Sequence, residues 1–364
     1  MRKTKFAFAA LLLVLGATAL TLVATSTAAK QAPLKAAWIY VGPHNDGGWS
    51  QAHDNGRLAV QKALGSKVQT TFKELVPEGP QTCQVIESLI RDGNKIIFGT
   101  SFGFQTCMLS EAKKHPDVFF EQATGTLQAK NMAEYFGAGE DSIYLAGMAA
   151  GAATKKNLIG EVVAFPIPEV LRHASAFALG AQAVNPKAKV KLVFTNSWID
   201  QAKDKKGAEA LHAAGADVLA QNVDSTAIGQ YAQSVGAGWV GYNSDARKFA
   251  PTSWLTAAVY NWGVYYVPRV KAAINGTWKS GFYYGNIKDG FTDLGPFGPK
   301  VSAKTKAAIA AKRKQLIDGS FHVFQGPLYD NTGKLVVPKG KTLSVKELYA
   351  VSWLAKGIIG SPKG

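Results

Sequence analysis

The chain has 364 residues, hydrophobic residues make up 47% of it, and its formal charge is +16. That length exceeds what one ordinary core fills, so two domains of ~150 residues each are expected. The positive charges are spread over helix-like stretches such as Lys304 to Lys314, which reads as a solvated face and speaks against nucleic acid as a partner.

The chain opens on an export pattern. Arg2, Lys3 and Lys5 form a positive n-region, Phe6 to Val23 is apolar apart from scattered Gly and Thr, and small residues run through Ala29. This reads as a secretory signal peptide over residues 1–29. An uncleaved anchor is the alternative, because the apolar run approaches the ~18 residues of a spanning helix. The segment carries no Cys, so a periplasmic protein without a lipid anchor is expected.

Short β-branched or aromatic runs then alternate with longer Ala-rich amphipathic runs. Strands are expected at Ala36 to Val41, Lys67 to Leu75, Lys95 to Gly99 and Val118 to Gln122, with helices at Ser50 to Leu64, Thr82 to Asp92 and Gln105 to His115 between them. A helix at Asp141 to Thr154 opens a second series. Its strands fall at Leu158 to Phe165, Lys189 to Thr195, Val218 to Gln221 and Trp239 to Tyr242. Its helices fall at Pro168 to Val184, Asp200 to Ala214 and Thr226 to Val235, and Leu255 to Ile274 carries a long helical pattern. Strands separated by helices of this length argue for parallel sheets made of βαβ units, an α/β fold. The less regular last hundred residues must supply the closing elements of both halves.

Cys83 and Cys107 are the two cysteines, each a few residues past a Gly-containing loop at the start of a helix pattern. An even count in an exported chain suggests a disulfide. Two buried free thiols are the alternative. A bridge would close a loop of about 25 residues and contribute roughly 3 kcal/mol in the chain-entropy picture.

In open parallel sheets, ligands bind beyond the carboxyl ends of the strands. The loops there run Gly42 to Ser50, Gly99 to Phe104, Ala164 to Pro168, Asn196 to Asp200 and Asn243 to Asp245. They carry Trp49, Phe102, Phe165 and Trp198, while the last carries the carboxylate Asp245. Rings with a few polar groups suit a flat, lightly charged ligand. Core packing for each ring and a helix-cap role for Asp245 are the plain alternatives. The sequence has no GxSxG, GxxxxGK[ST] or HExxH pattern and no CxxC or Cys/His cluster. Catalysis, a metal site and a cofactor are therefore not expected.

Asn45-Asp46-Gly47-Gly48-Trp49-Ser50 with Asn55-Gly56, then Gly99 to Phe104, Trp198 to Lys203, Gly241 to Asp245 and Tyr329 to Gly333, together resemble the basic membrane protein family of ABC-transporter substrate-binding proteins, which includes purine-nucleoside receptors. The resemblance covers nearly all of the mature chain. It implies a type I periplasmic-binding fold: two Rossmann-like parallel-sheet domains, three interdomain crossings and a ligand cleft that closes. It places one lobe at 35–140 plus about 256–320 and the other at 141–255 plus about 321–364.

By the same resemblance Trp49 and Trp198 sandwich the base, Asn45 or Asp46 and Glu121 read its edge, and Asp245 holds a ribose with a Lys in the next helix. Tyr260 stands where that Lys is expected, and Tyr260 and Trp262 add bulk. The expected ligand is therefore a free nucleobase such as adenine, captured by a monomer and delivered to an ABC permease. A receptor for a nucleoside, a flavin or another flat ring is the nearest alternative. A sensory receptor and a periplasmic nucleoside-processing enzyme are the others.

Overall fold

The computed structural model describes Met1 and residues 32–364, and Pro33–Gly364 forms one compact unit. The expected signal peptide lies outside the described residues. The first half folds as β1 (Leu34–Ile39), α1 (Trp49–Leu64), β2 (Val68–Lys73), α2 (Pro80–Arg91), β3 (Ile96–Gly99), α3 (Gln105–Lys114), β4 (Phe119–Ala123) and β5 (Met132–Gly137). The chain continues through α4 (Gly139–Ala153), β6 (Leu158–Val163), α5 (Pro168–Val184), β7 (Lys189–Phe194), α6 (Gln201–Ala213), β8 (Val218–Asn222), α7 (Ala227–Ser234), β9 (Gly238–Asn243) and β10 (Trp254–Tyr260). Then come α8 (Gly263–Ile274), β11 (Phe282–Gly285), β12 (Thr292–Leu294) and α9 (Ala303–Asp318). The tail holds β13 (Leu328–Tyr329), β14 (Leu335–Val337), α10 (Val345–Leu348) and β15 (Ile358–Ile359).

Two sheets result, ordered β11-β5-β4-β3-β1-β2 and β12-β10-β9-β8-β6-β7-β15. All pairings in the first are parallel, as are those in the second apart from β12 against β10. Helices cover parallel sheets on both faces, so their inner strands are buried along their length, whereas the edge strand β2 alternates. β3 and β5 are buried at every position. Pro80 and Pro168 stand in the first turns of α2 and α5, where a missing N–H costs nothing. The sulfurs of Cys83 and Cys107 are bonded, tying the start of α2 to the start of α3.

The expected helix over Leu255 to Ile274 is corrected. Its first part is the strand β10, which pairs with β9 from Trp254 to Val259, and the helix begins at Gly263. The Ala-rich run carries no alternation because β10 is buried on both faces. The lobe boundary moves with it. β10, β12 and β15 belong to the second sheet, whereas only β11 of the late strands joins the first. The chain therefore passes between the sheets at Ala138, at Asn261–Trp262 and at 286–291.

Candidate functional site

The carboxyl ends of both sheets face a narrow cleft between the lobes, the place where open parallel sheets bind ligands. The first lobe contributes Trp49, at the start of α1, with Ser101 and Phe102 from the loop after β3. The second contributes Trp198 after β7, Asn222 and Asp224 around the end of β8, Tyr242 and Asn243 at the end of β9, and Glu169 in the first turn of α5. Among the described residues, no Lys, Arg or His lines this cleft.

Trp49 is held from several sides. Its indole Nε1 donates to the Thr100 carbonyl at 2.5 Å. Its ring meets the edges of His53 at 4.5 Å and Trp262 at 5.2 Å. The helix beneath it is anchored by Asp46, whose carboxylate accepts the N–H groups of Gly48, Ser50 and Gln51 at 2.7, 3.0 and 3.0 Å. A carboxylate at a helix start satisfies donors that the helix leaves free. Trp198 is half-buried, with Phe165 packed edge-on at 5.2 Å.

The polar wall comes from the second lobe. Tyr242 Oη and Asn222 Nδ2 each lie 3.2 Å from His173 Nδ1. Burial, and then the charge of Arg172, hold that imidazole neutral, and the Asn222 amide, which can only donate through Nδ2, makes His173 Nδ1 the acceptor. The Oδ1 atoms of Asn222 and Asn243 are buried without a partner among the described residues, which is uncommon for buried polar groups. Asp224 is 5% exposed. Burial first, then the charge of Asp46, push its carboxyl well above the usual range. Burial likewise lifts Glu169 to about 7, against the pull of Arg172.

Trp49, Phe102 and Trp198 thus meet in one cleft, and Phe165 supports the third. The other expected residues fall elsewhere. Asn45 is exposed, and Asp46 serves the helix start. Glu121 is corrected: it is fully buried on β4, and Tyr265 Oη, Arg269 Nε and Trp278 Nε1 each donate to it at 2.6 Å. Three donors occupy the carboxylate, so it holds α8 to the sheet. Asp245 is corrected as well. It is exposed, paired with Arg247, and accepts that residue's N–H at 3.3 Å. Tyr260 and Trp262 stack on each other at 5.1 Å and back Trp49 instead of lining the cleft.

Asn222, Asp224, Tyr242, Asn243 and Glu169 are residues that the ring-based reading passes over. The loop after β8 has no aromatic residue, so nothing marks it when rings are the signal. Strand ends alone would have found it.

Residues 34–321 match the Bmp family, ABC transporter substrate-binding protein PnrA-like. The chain belongs to that family and is a substrate-binding protein, not an enzyme. It is 38% identical over 331 residues to a purine-binding protein of Brucella abortus (strain 2308), covering 89% of this chain and 93% of that one. It is 36% identical over 297 residues to a putative ABC transporter glucose-binding protein of Haloferax volcanii, covering 82% and 75%. The solved structure of an ABC transporter solute-binding protein from Conexibacter woesei aligns over 79% of this chain and 98% of that one, with a TM-score of 0.67 and 22% identity. The family serves ABC importers outside the cytoplasm, and no helix of the described residues is long and apolar enough to cross a membrane.

Proposed function

We propose that the chain is a periplasmic, unlipidated receptor that captures a free purine base such as adenine as a monomer and hands it to an ABC permease. One observation carries the ligand class. Two indoles from opposite lobes share a cleft with amide and carboxyl groups and, among the described residues, no cation. Stacking suits any purine face, and the polar groups suit the edge of a neutral base. Without a Lys or Arg nothing there balances a phosphate, so nucleotides are disfavoured. Nothing in the lining replaces the ribose-holding Lys either, and Tyr242 closes the rear wall against His173. The Brucella relative supports a purine; the Haloferax relative makes glucose the comparison that matters.

Calorimetry with adenine, hypoxanthine, adenosine, guanosine and glucose tests the reading. Adenine or hypoxanthine is expected to bind at least tenfold more tightly than its nucleoside. Adenosine ahead of adenine by a decade would overturn the free-base reading and keep the purine class. Glucose binding with no purine bound would overturn the purine class.

A further inference from the structure

The first turn of α1 presents backbone N–H groups that no helical carbonyl can take. Asp46, in the same lobe, accepts those of Gly48, Ser50 and Gln51. The N–H of Trp49 remains, and it donates to Asp224 Oδ1 at 3.3 Å, across from the other lobe. Asn243 Nδ2 holds the same oxygen at 2.9 Å. Asn243 sits in the left-handed region at φ 68°, which Asn tolerates better than most side chains. The approach is close: a Cβ on Gly48 would lie 3.0 Å from the Asp224 Cα. Beside it Ser244 Oγ donates to the Gly47 carbonyl.

We infer that Asp224 is a positioning residue and interlobe latch, which fixes Trp49 in the cleft by capping the first turn of α1 from the opposite lobe. Its effect on affinity rests on the ligand reading above; the latch itself belongs to the ligand-free chain. Several titratable groups surround it: Asp46 on the β1–α1 loop, Asp204 on α6, Glu169 on α5 and Tyr242 on β9. Behind them His53 and His173 are held neutral by burial. Closure therefore brings two carboxylates, Asp46 and Asp224, to one helix end with no cation in the lining among the described residues. Burial pushes Asp224 up, and Asp46 adds to it. A carboxyl whose pKa rises on closing takes up a proton, so the closed form is favoured below the raised value and loses ground as pH rises through it. An Asn keeps the accepting oxygen and removes the titration.

Hydrogen exchange of the ligand-free protein reads the latch directly. The Trp49 amide is expected to be protected in the wild type and in Asp224→Asn, and to exchange at least tenfold faster in Asp224→Ala. After correction for intrinsic exchange, wild-type protection should fall as pH rises, and that of Asp224→Asn should not. If Asp224→Ala fails to fold, the comparison of wild type with Asp224→Asn across pH decides. Adenine titrated calorimetrically in buffers of different ionisation enthalpy should reveal more proton uptake by the wild type than by Asp224→Asn. Equal Trp49 exchange in wild type and Asp224→Ala, or equal pH profiles in wild type and Asp224→Asn, overturns the latch whatever the ligand. A protected, Asp224-dependent Trp49 amide with no adenine binding overturns the ligand reading alone.

Discussion

Trp198 differs from Trp49 in how it is fixed. Trp49 has an indole hydrogen bond and rings on two sides, whereas Trp198 leans on Phe165 and is half-buried. Truncating it should remove a stacking face with little damage to the fold. Trp198→Ala is expected to weaken purine binding by about 5- to 150-fold, from roughly 1–3 kcal/mol per lost ring, with the thermal midpoint nearly unchanged. Calorimetry and a melting curve check both halves. Glu161 makes a different single-residue case. It is 2% exposed on β6, its Oε2 has no partner among the described residues, and burial pushes its carboxyl up from 4.5 to about 8. Between those values the native chain keeps a proton that the unfolded chain has released, so stability falls as pH rises through that window. Glu161→Gln removes this contribution. Urea unfolding at pH 5 and pH 8 should find the wild-type loss larger than the variant's by on the order of 2 kcal/mol or more. Equal losses would mean that Glu161 is not buried as a neutral acid.

At the scale of elements, α4 and α5 are pressed together by their small residues. A Cβ on Gly180 would lie 1.9 Å from the Tyr144 carbonyl oxygen, and one on Gly147 would lie 2.1 Å from that of Phe177. Neither backbone can yield without moving a helix that is buried along most of its length. Gly180→Ala is therefore expected to destabilise by about 1–3 kcal/mol, the usual range for overpacking, read as a lower urea midpoint. Helix boundaries such as that of α5 were legible because proline, periodicity and length agree there. β5 was not, since Met132–Gly137 is buried at every position and shows no period-two pattern. β10 failed for the same reason, and the shift of the lobe boundary followed from it. Similarly, Trp49 and Trp198 were legible as large rings after strands. Asp224 and Asn243 were hidden because an Asp or Asn after a strand looks like a cap until its burial and its partner across the cleft are known.

For the whole molecule, the contacts of Asp224 and Ser244 with the β1–α1 loop and the start of α1 mark a closed cleft. Motion about the three passages is the expected way to open it. At Ala138 the chain runs beside Phe291, whose ring would meet a Cβ on Gly137 at 2.1 Å. The tail adds a tie that the family match, ending at 321, does not include. Tyr349 meets Phe282 and Tyr284 at 6.0 and 6.1 Å on the edge strand of the first sheet. It also lies 5.5 Å from the Arg172 guanidinium on α5 of the other lobe. Arg172 in turn donates to the Leu348 carbonyl at 3.0 Å, and β15 pairs with β7 of the second sheet. Tyr349 therefore touches both lobes while lying outside the ligand cleft. Aromatic and cation–π contacts of this kind are each worth about 0.5–1.5 kcal/mol, and opening the lobes would strain or break them. Tyr349→Ala should shift the balance toward the open form and weaken binding about threefold to thirtyfold, mainly through faster release. Scattering profiles of the ligand-free variant should show a larger radius of gyration than the wild type, converging once ligand saturates. Unchanged release and unchanged scattering would mean that the tail moves with one lobe only and that the three passages alone set the balance.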